Sequence, residues 1–246
     1  MLDAAGADVD SAVVSYRPAA GEERSLPVIR AKAPALYEAA PWRTFRWHYG
    51  QRHYSGSWWS ATERRHVIYE SRLELSVLQL ADFDTSVRRI VAQPFALRAE
   101  VNGKTNRHVP DYLWETDDGP VVVDVVRAER LDHPRIKLLC AWTREVIESR
   151  GWCYDVFSEP PPVQLGNVRF LAGYRREWLI NQAILDQIRC CATELVGLTI
   201  GEAERRIADH AQPLVRSAMM HLLWCHEFTV DLIRPLSRST VLEASR

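Results

Sequence analysis

Lysine is almost missing from this 246-residue chain: of 31 basic residues only Lys32, Lys104 and Lys137 are lysine. Chemistry that needs an ammonium group is confined to three places, and arginine carries the rest of the positive charge. Arginine suits bidentate contact with phosphate, although a GC-rich genome produces the same bias, a reading of at least equal weight. Cysteine is sparse too. Cys140, Cys153, Cys190, Cys191 and Cys225 are odd in number and contain no C-x-x-C pair, which argues against a disulfide framework or zinc ribbon and for a reducing cytoplasm. Cys190-Cys191 with His221 and His226 lack zinc spacing, so all five cysteines read as core or neutral residues. No apolar run approaches the ~18 residues that cross a membrane, and the acidic start MLDAAGADVD lacks the basic-then-apolar order of a secretory signal. Excess charge is missing as well. A formal net charge of -1 with a pI near 6.7 argues against gripping nucleic acid by bulk electrostatics.

What is present divides the chain into three stretches. Residues 1–41 are rich in Ala, Pro and Gly, with prolines at 18, 27, 34 and 41 and no sustained period, which predicts a largely disordered tail. From Pro41 aromatics crowd in (Trp42, Phe45, Trp47, Tyr49, Tyr54, Trp58, Trp59), interleaved with arginines 43, 46, 52, 64, 65 and 72 against only Glu63 and Glu70. Such a segment either stacks on bases or packs its aromatics on the domain behind it, and packing is the stronger reading.

Regular structure follows over residues 42–160. From about Arg65, in VIYESRLELSVLQLADF, Leu73, Val77 and Leu80 recur at i, i+4 and i+7, the period of an amphipathic helix. Residues 87–101 read as extended, with Pro94 at a bulge or edge. Strands over 108–115 and 120–127 flank Asp117-Asp118-Gly119, a tight-turn signal that makes them a hairpin. Ile136, Leu139, Cys140, Val146 and Ile147 outline a helix stopped by Gly151, and residues 152–157 form a further strand. The predicted order is helix, strand, strand, strand, helix, strand.

Pro160-Pro161-Pro162 marks residues 158–166 as a linker. Residues 167–246 are predicted mainly helical. Helices cover 174–192, 200–208 behind a Thr199/Glu202 capping box, and 212–225 behind Pro213, and FTVDL with STVLEA makes a closing hairpin. Three helices and a hairpin outline a winged helix. Its third helix carries Arg216 and His221, with His226 just beyond, but is otherwise apolar through Met219, Met220, Leu222, Leu223 and Trp224. That favours docking to protein over reading a DNA groove.

The candidate chemistry lies on the hairpin. If its loop is Asp117-Asp118, Asp111 stands opposite Asp124; if the loop is Asp118-Gly119, the two are diagonal neighbours on one face. Either register brings their Cβ atoms within about 5–8 Å, whereas a three-residue loop separates them onto opposite faces. Two close carboxylates repel, and a hard cation such as Mg2+ relieves this. Asp124 ends a three-valine run that reads as a buried strand, where a free charge is costly. Glu74, among the apolar residues of the first helix, can add a third carboxylate. Two solvent-facing aspartates on a hairpin remain the plain alternative.

A helix glutamate, a Pro-Asp, and an acidic residue followed two places on by lysine is the pattern of PD-(D/E)xK nucleases. The predicted element order is similar to their α/β, restriction-endonuclease-like core (αβββαβ). Among them the chain from about Trp42 onward resembles the TnsA family of transposon-end endonucleases. The carrying segments are Tyr54-Ser55-Gly56, Ser71-Arg72-Leu73-Glu74, Gln93-Pro94, His108-Val109-Pro110-Asp111, Val122-Val123-Asp124-Val125, Trp142-Thr143-Arg144-Glu145-Val146 and, near the end, Val230-Asp231-Leu232. The resemblance implies an Mg2+-dependent endonuclease, with Mn2+ as a second usable ion, that nicks the non-transferred strand of double-stranded DNA at transposon ends. It also implies a DDE-type transposase and an AAA+ ATPase regulator as partners. Carried over residue by residue, it assigns Glu74, Asp111 and Asp124 to catalysis and metal binding. Arg43, Arg46, Arg52, Arg107 and His108 are the candidate DNA contacts.

The motif departs from the family at one place, where Val126 occupies the lysine position. That lysine orients the attacking water or steadies charge on the transition state, and valine does neither. Arg127 falls on the opposite face of a regular strand, so it substitutes only if the strand is bulged. A displaced lysine must then be Lys104 or Lys137, with Lys137 on the following helix preferred. Three readings stay open: strand-specific cleavage by two-metal hydrolysis, a catalytically weak or inactive subunit that binds DNA ends and partners, and a stand-alone restriction-type nuclease.

Overall fold

In a computed structural model that describes residues 6–43, 54–207 and 209–245, the N-terminal segment is a strand rather than a tail. Strand β1 (Ala7–Pro18) buries Ala12, Val14 and Tyr16 at alternate positions, the period of a strand with one covered face. It pairs antiparallel with β2 (Arg24–Pro27), and helix α1 (Ala33–Tyr37) and β3 (Ala39–Ala40) follow. The expectation of a disordered residue 1–41 stretch is therefore corrected over residues 7–40. Its prolines mark element ends, where a missing N–H costs little. Pro18 closes β1, Pro27 closes β2, Pro34 opens α1 and Pro41 follows β3.

Strands β4 (Gly56–Ser60) and β5 (Arg65–Tyr69) form a hairpin, so the helix expected from about Arg65 starts later, as α2 (Arg72–Phe83). The Trp58 indole donates to the buried Asp82 carboxylate at 2.8 Å, which ties this aromatic to the domain. Next come β6 (Val87–Ala92), β7 (Ala96–Val101), β8 (Lys104–His108), β9 (Tyr112–Thr116), β10 (Gly119–Val125), α3 (Pro134–Ser149) and β11 (Cys153–Phe157). The single extended stretch expected over 87–101 breaks at Gln93-Pro94-Phe95, where Gln93 takes a φ of 47°. There the chain passes from one sheet to another. One sheet runs β11-β10-β9-β6, with β10 and β11 parallel and the other pairs antiparallel; the other runs β2-β1-β7-β8, with β3 on β1.

The four-stranded sheet is buried on both faces, which is why β10 reads as an unbroken valine run. Val121 and Val123 pack with Val77 and Leu78 of α2, whereas Val122 joins the cluster of Trp142, Val146 and Ile147 on α3. Around this sheet the order is α2, β6, β9, β10, α3, β11, with β7 and β8 diverted into the second sheet. The fold is mixed α/β. By compactness the chain forms two units, Met1–Glu159 and Pro160–Arg246.

In the second unit the triple proline opens a helix instead of a linker: α4 (Pro162–Leu171) has Pro162 in its first turn. The single helix expected over 174–192 is interrupted. Asn181 caps a new helix, α5 (Gln182–Cys190), through Ile184 N, and α6 (Ala192–Leu195) follows a break at Cys191. The capping box is present at α7 (Ile200–Arg206), where Thr199 and Glu202 exchange bonds. Helix α8 (Gln212–Trp224) buries Val215 and every residue from Ala218 to Trp224 against its own unit. Met219, Met220, Leu222, Leu223 and Trp224, the apolar residues behind the expected docking role, are thus core residues of this helix, while Gln212, Pro213 and Leu214 are exposed. β12 (Phe228–Thr229) pairs antiparallel with β13 (Glu243–Ala244), and Val241 bridges Thr199 ahead of α7. All five cysteines are free, with Cys153, Cys190 and Cys225 exposed rather than in the core. Among the described residues no helix is long and apolar enough to cross a membrane.

Candidate active site

The hairpin register decides the central question. Thr116 pairs with Gly119 and Tyr112 with Val123, so the loop is Asp117-Asp118 and the next positions in register are Asp111 and Asp124. Gly119 closes the turn at a φ of 112°, a conformation that disfavours a Cβ. Beyond the ladder Asp111 is held by a side-chain bond: Val125 N donates to Asp111 Oδ2 at 2.7 Å. Its own carbonyl accepts from Gln93 N at 2.8 Å.

The start of α2 supplies the third carboxylate. Ser71 caps the helix by accepting from Glu74 N at 3.1 Å, and Glu74 Oε2 turns back to accept from Glu70 N at 2.7 Å. One Glu74 oxygen thus does structural work at the helix start. Glu74, Asp111, Asp124, Val126 and His108 all line one cavity of about 580 Å³.

Asp124 is 3% exposed, and both of its oxygens accept hydrogen bonds. His108 Nε2 lies 2.8 and 2.7 Å from its two oxygens, and the Tyr154 hydroxyl donates to Oδ2 at 2.5 Å. Burial and the adjacent Asp124 charge push the Tyr154 phenol far up, so it stays a donor. Asp111 is the strained member. Burial first, then the charges of Asp124 and Glu74, hold its carboxyl well above the ordinary range. Burial also raises Glu74, against the bonds from Glu70 N and Ser71. Both shifts come first from burial, and at Asp111 the neighbouring like charges add to it.

Among the described residues no three or more His, Cys, Asp or Glu side chains are arranged to hold a metal ion. The test that fits Mg2+ better is a pair, because this ion keeps several waters and commonly uses one or two carboxylates. Asp111 with Asp124 meets it in donor chemistry: all-oxygen, mutually repelling and buried.

Other expected residues stand elsewhere. Lys137, the preferred displaced lysine, is not a lining residue; its ammonium pairs with Asp132 at 2.8 Å and points to solvent. Lys104 begins β8 at the end away from His108, and Arg107 is exposed on that strand without lining the cavity. Arg43 reaches Glu70 at 3.6 Å, while Arg46 and Arg52 lie outside the described residues. Arg127 is the main reversal. Regular pairing stops at Val125, so alternation no longer applies, and Arg127 lines the same cavity as Asp124, together with Arg130.

In the sequence Glu70 and Tyr154 carry no site assignment, and Gln93 enters only within the Gln93-Pro94 segment of the resemblance. Gln93 is 5% exposed, donates to Glu70 Oε1 at 2.6 Å and accepts from Arg43 N at 3.0 Å. No spacing signal points to any of the three. Compared with known proteins, the chain matches no family model and no curated protein sequence.

Proposed function

We propose that this protein is a DNA endonuclease of the PD-(D/E)xK type, a TnsA-like subunit that nicks the non-transferred strand at transposon ends. The observation that carries this reading is the convergence of Glu74, Asp111 and Asp124, from a helix start, a strand entry and a strand end, in one cavity. The α2, β6, β9, β10, α3, β11 order supports it as the αβββαβ core. The small sheet of β12 and β13, with α7 and α8 before it, supports a winged-helix-like second unit. A DDE-type transposase and an AAA+ ATPase are the partners this reading entails, with duplex DNA as substrate.

Asp111 and Asp124 would hold Mg2+ or Mn2+, with Glu74 beside them. A bound cation supplies Lewis-acid polarisation of the phosphoryl oxygen and a more acidic water. The chain's own contribution is positioning. His108 and Tyr154 fix Asp124 in one orientation, Val125 N fixes Asp111, and the α2 cap fixes Glu74. Burial raises the Glu74 carboxyl above the ordinary carboxylate range, which makes it a better proton acceptor than a solvated glutamate. Nicking of supercoiled plasmid in Mg2+ or Mn2+, with and without the partner transposase, tests the reading; Asp111→Asn is expected to abolish it.

A catalytically weak, DNA-end-binding subunit is the second reading. Val126 at the cavity wall and the diversion of Lys137 to Asp132 favour it. Duplex binding without nicking in any of these conditions would select it.

A further inference from the structure

A cavity lined by carboxylates repels the phosphates of a nucleic acid unless cations meet them. Val126 brings none. The guanidinium groups among the cavity's lining residues are those of Arg127 and Arg130. The end of β10 delivers both. The strand stops at Val125, Val126 N donates to Phe157 O at 2.8 Å, and the chain enters a tight 3-10 turn, Ala128–Arg130. That turn is pinned twice: Ala128 N donates to the Glu159 carboxylate at 2.9 Å, and Arg130 N donates to Arg127 O at 2.8 Å.

Arg43, Arg65, Arg88, Arg89 and Arg144 are each committed to a carboxylate. Arg127 and Arg130 are exposed, and among the described residues neither forms an ion pair; the nearby Glu159 carboxyl is lowered chiefly by the Ala128 amide, with the Arg127 charge a smaller contribution. Among the described residues Arg98 and Arg107 are also exposed without an ion pair, but neither lines the cavity. Two unpaired guanidiniums on a pinned turn, beside a carboxylate pair, form a site for a phosphodiester anion.

The geometry points to Arg127 and Arg130 as the phosphate clamp of this site, gripping the DNA backbone where it enters the cavity and supplying the positive charge that Val126 lacks. The inference rests on the nuclease reading and deepens it. A guanidinium presents two parallel N–H donors to two phosphate oxygens, and neither arginine must break an ion pair to do so.

The test is binding of a short fluorescent DNA duplex to the full chain, followed by anisotropy across a salt series at low ionic strength in Ca2+. Arg127→Gln, Arg130→Gln and the double variant are compared with wild type and with Arg88→Gln, which removes an arginine paired to Asp117 at the hairpin turn. Each clamp variant is expected to weaken binding about tenfold and lower the salt slope by about one, with Arg88→Gln unchanged. Wild-type binding that Arg127→Gln and Arg130→Gln leave unaltered overturns the clamp, and plasmid nicking by the same wild-type sample then shows whether the nuclease reading survives it. Clamp variants that lose binding while wild type never nicks keep the clamp and overturn the nuclease. No wild-type binding at the lowest salt overturns the clamp, and plasmid nicking with the partner transposase then decides the nuclease reading separately. Circular dichroism melts matching wild type show that the variants are folded.

Discussion

Asp111 and Asp124 are neighbours in register with opposite circumstances. Asp124 accepts from two donors, His108 Nε2 and the Tyr154 hydroxyl, whereas Asp111 has the Val125 amide and three like charges, those of Asp124, Glu74 and Glu70. The folded state therefore keeps a proton on Asp111 that the unfolded chain releases from about pH 4 upward. Folding stability falls as pH rises from that point through the raised Asp111 pKa, and above it the loss is complete. Asp111→Asn removes the loss, so thermal melts across pH are expected to show the variant melting above wild type at neutral pH, with no gap at about pH 3. Mg2+ should raise the wild-type Tm and leave the variant unmoved; equal stabilisation of both would take Asp111 out of the cation site. At Val126 a lysine side chain would enter the same cavity. Val126→Lys is expected to raise Mg2+-dependent nicking by about 10- to 10³-fold, the range for restoring one preorganised charge to a phosphoryl-transfer site. Lys137→Ala should leave it unchanged, because that ammonium is already on Asp132. An unchanged rate in Val126→Lys would mean that charge at this position is not limiting.

Elements hold these residues through their ends. Ser71 caps α2, and the same turn aims Glu74 back at Glu70. Ser71→Ala is expected to cost about 1 kcal/mol, typical for a lost N-cap, read as a lower urea midpoint at unchanged slope. Nicking should fall with it if Glu74 takes part, since both depend on one helix start. This is also the scale at which legibility divides. Period-2 and period-3.6 patterns, the Asp-Gly turn and the Thr199/Glu202 box are local, and α2, the β9–β10 hairpin, α3, β11 and α7 follow them. The β7–β8 departure into a second sheet is tertiary: Gln93 at positive φ and Pro94 mark a break but not its destination. Arg127 was misassigned because alternation was carried past Val125, where the ladder ends. The His108–Asp124–Tyr154 contact joins three strands, and no spacing within any one of them encodes it. Prolines misled twice, at residues 18–41 and at 160–162, since helix starts and strand ends tolerate them as readily as coil does.

At the scale of the whole molecule the N-terminal strand decides whether the Met1–Glu159 unit exists at all. β1 is an interior strand, between β2 and β7, so removing it exposes the ladder edge of β7 and a face of the core. Val14, Tyr16, Val28, Leu36 and Tyr37 are buried in the cluster that also contains Leu97, Val122, Trp142 and Tyr154. Losing five such side chains forfeits on the order of 10 kcal/mol of apolar burial, comparable with the ~5–15 kcal/mol that stabilises a whole domain. The cluster reaches the site directly, because Tyr154 belongs to it and holds Asp124. A chain beginning at Pro41, the boundary that composition suggests, is therefore expected to lose the cooperative melting transition of the Met1–Glu159 unit. The Pro160–Arg246 unit, with Ile184, Leu185, Ile188, Val215 and Leu222 buried within it, should keep its own. Differential scanning calorimetry of the truncated chain checks this: one surviving transition with helical circular dichroism is the expected result. Two transitions close to those of the full chain would show that β1 is dispensable and that the first unit's core stands without it.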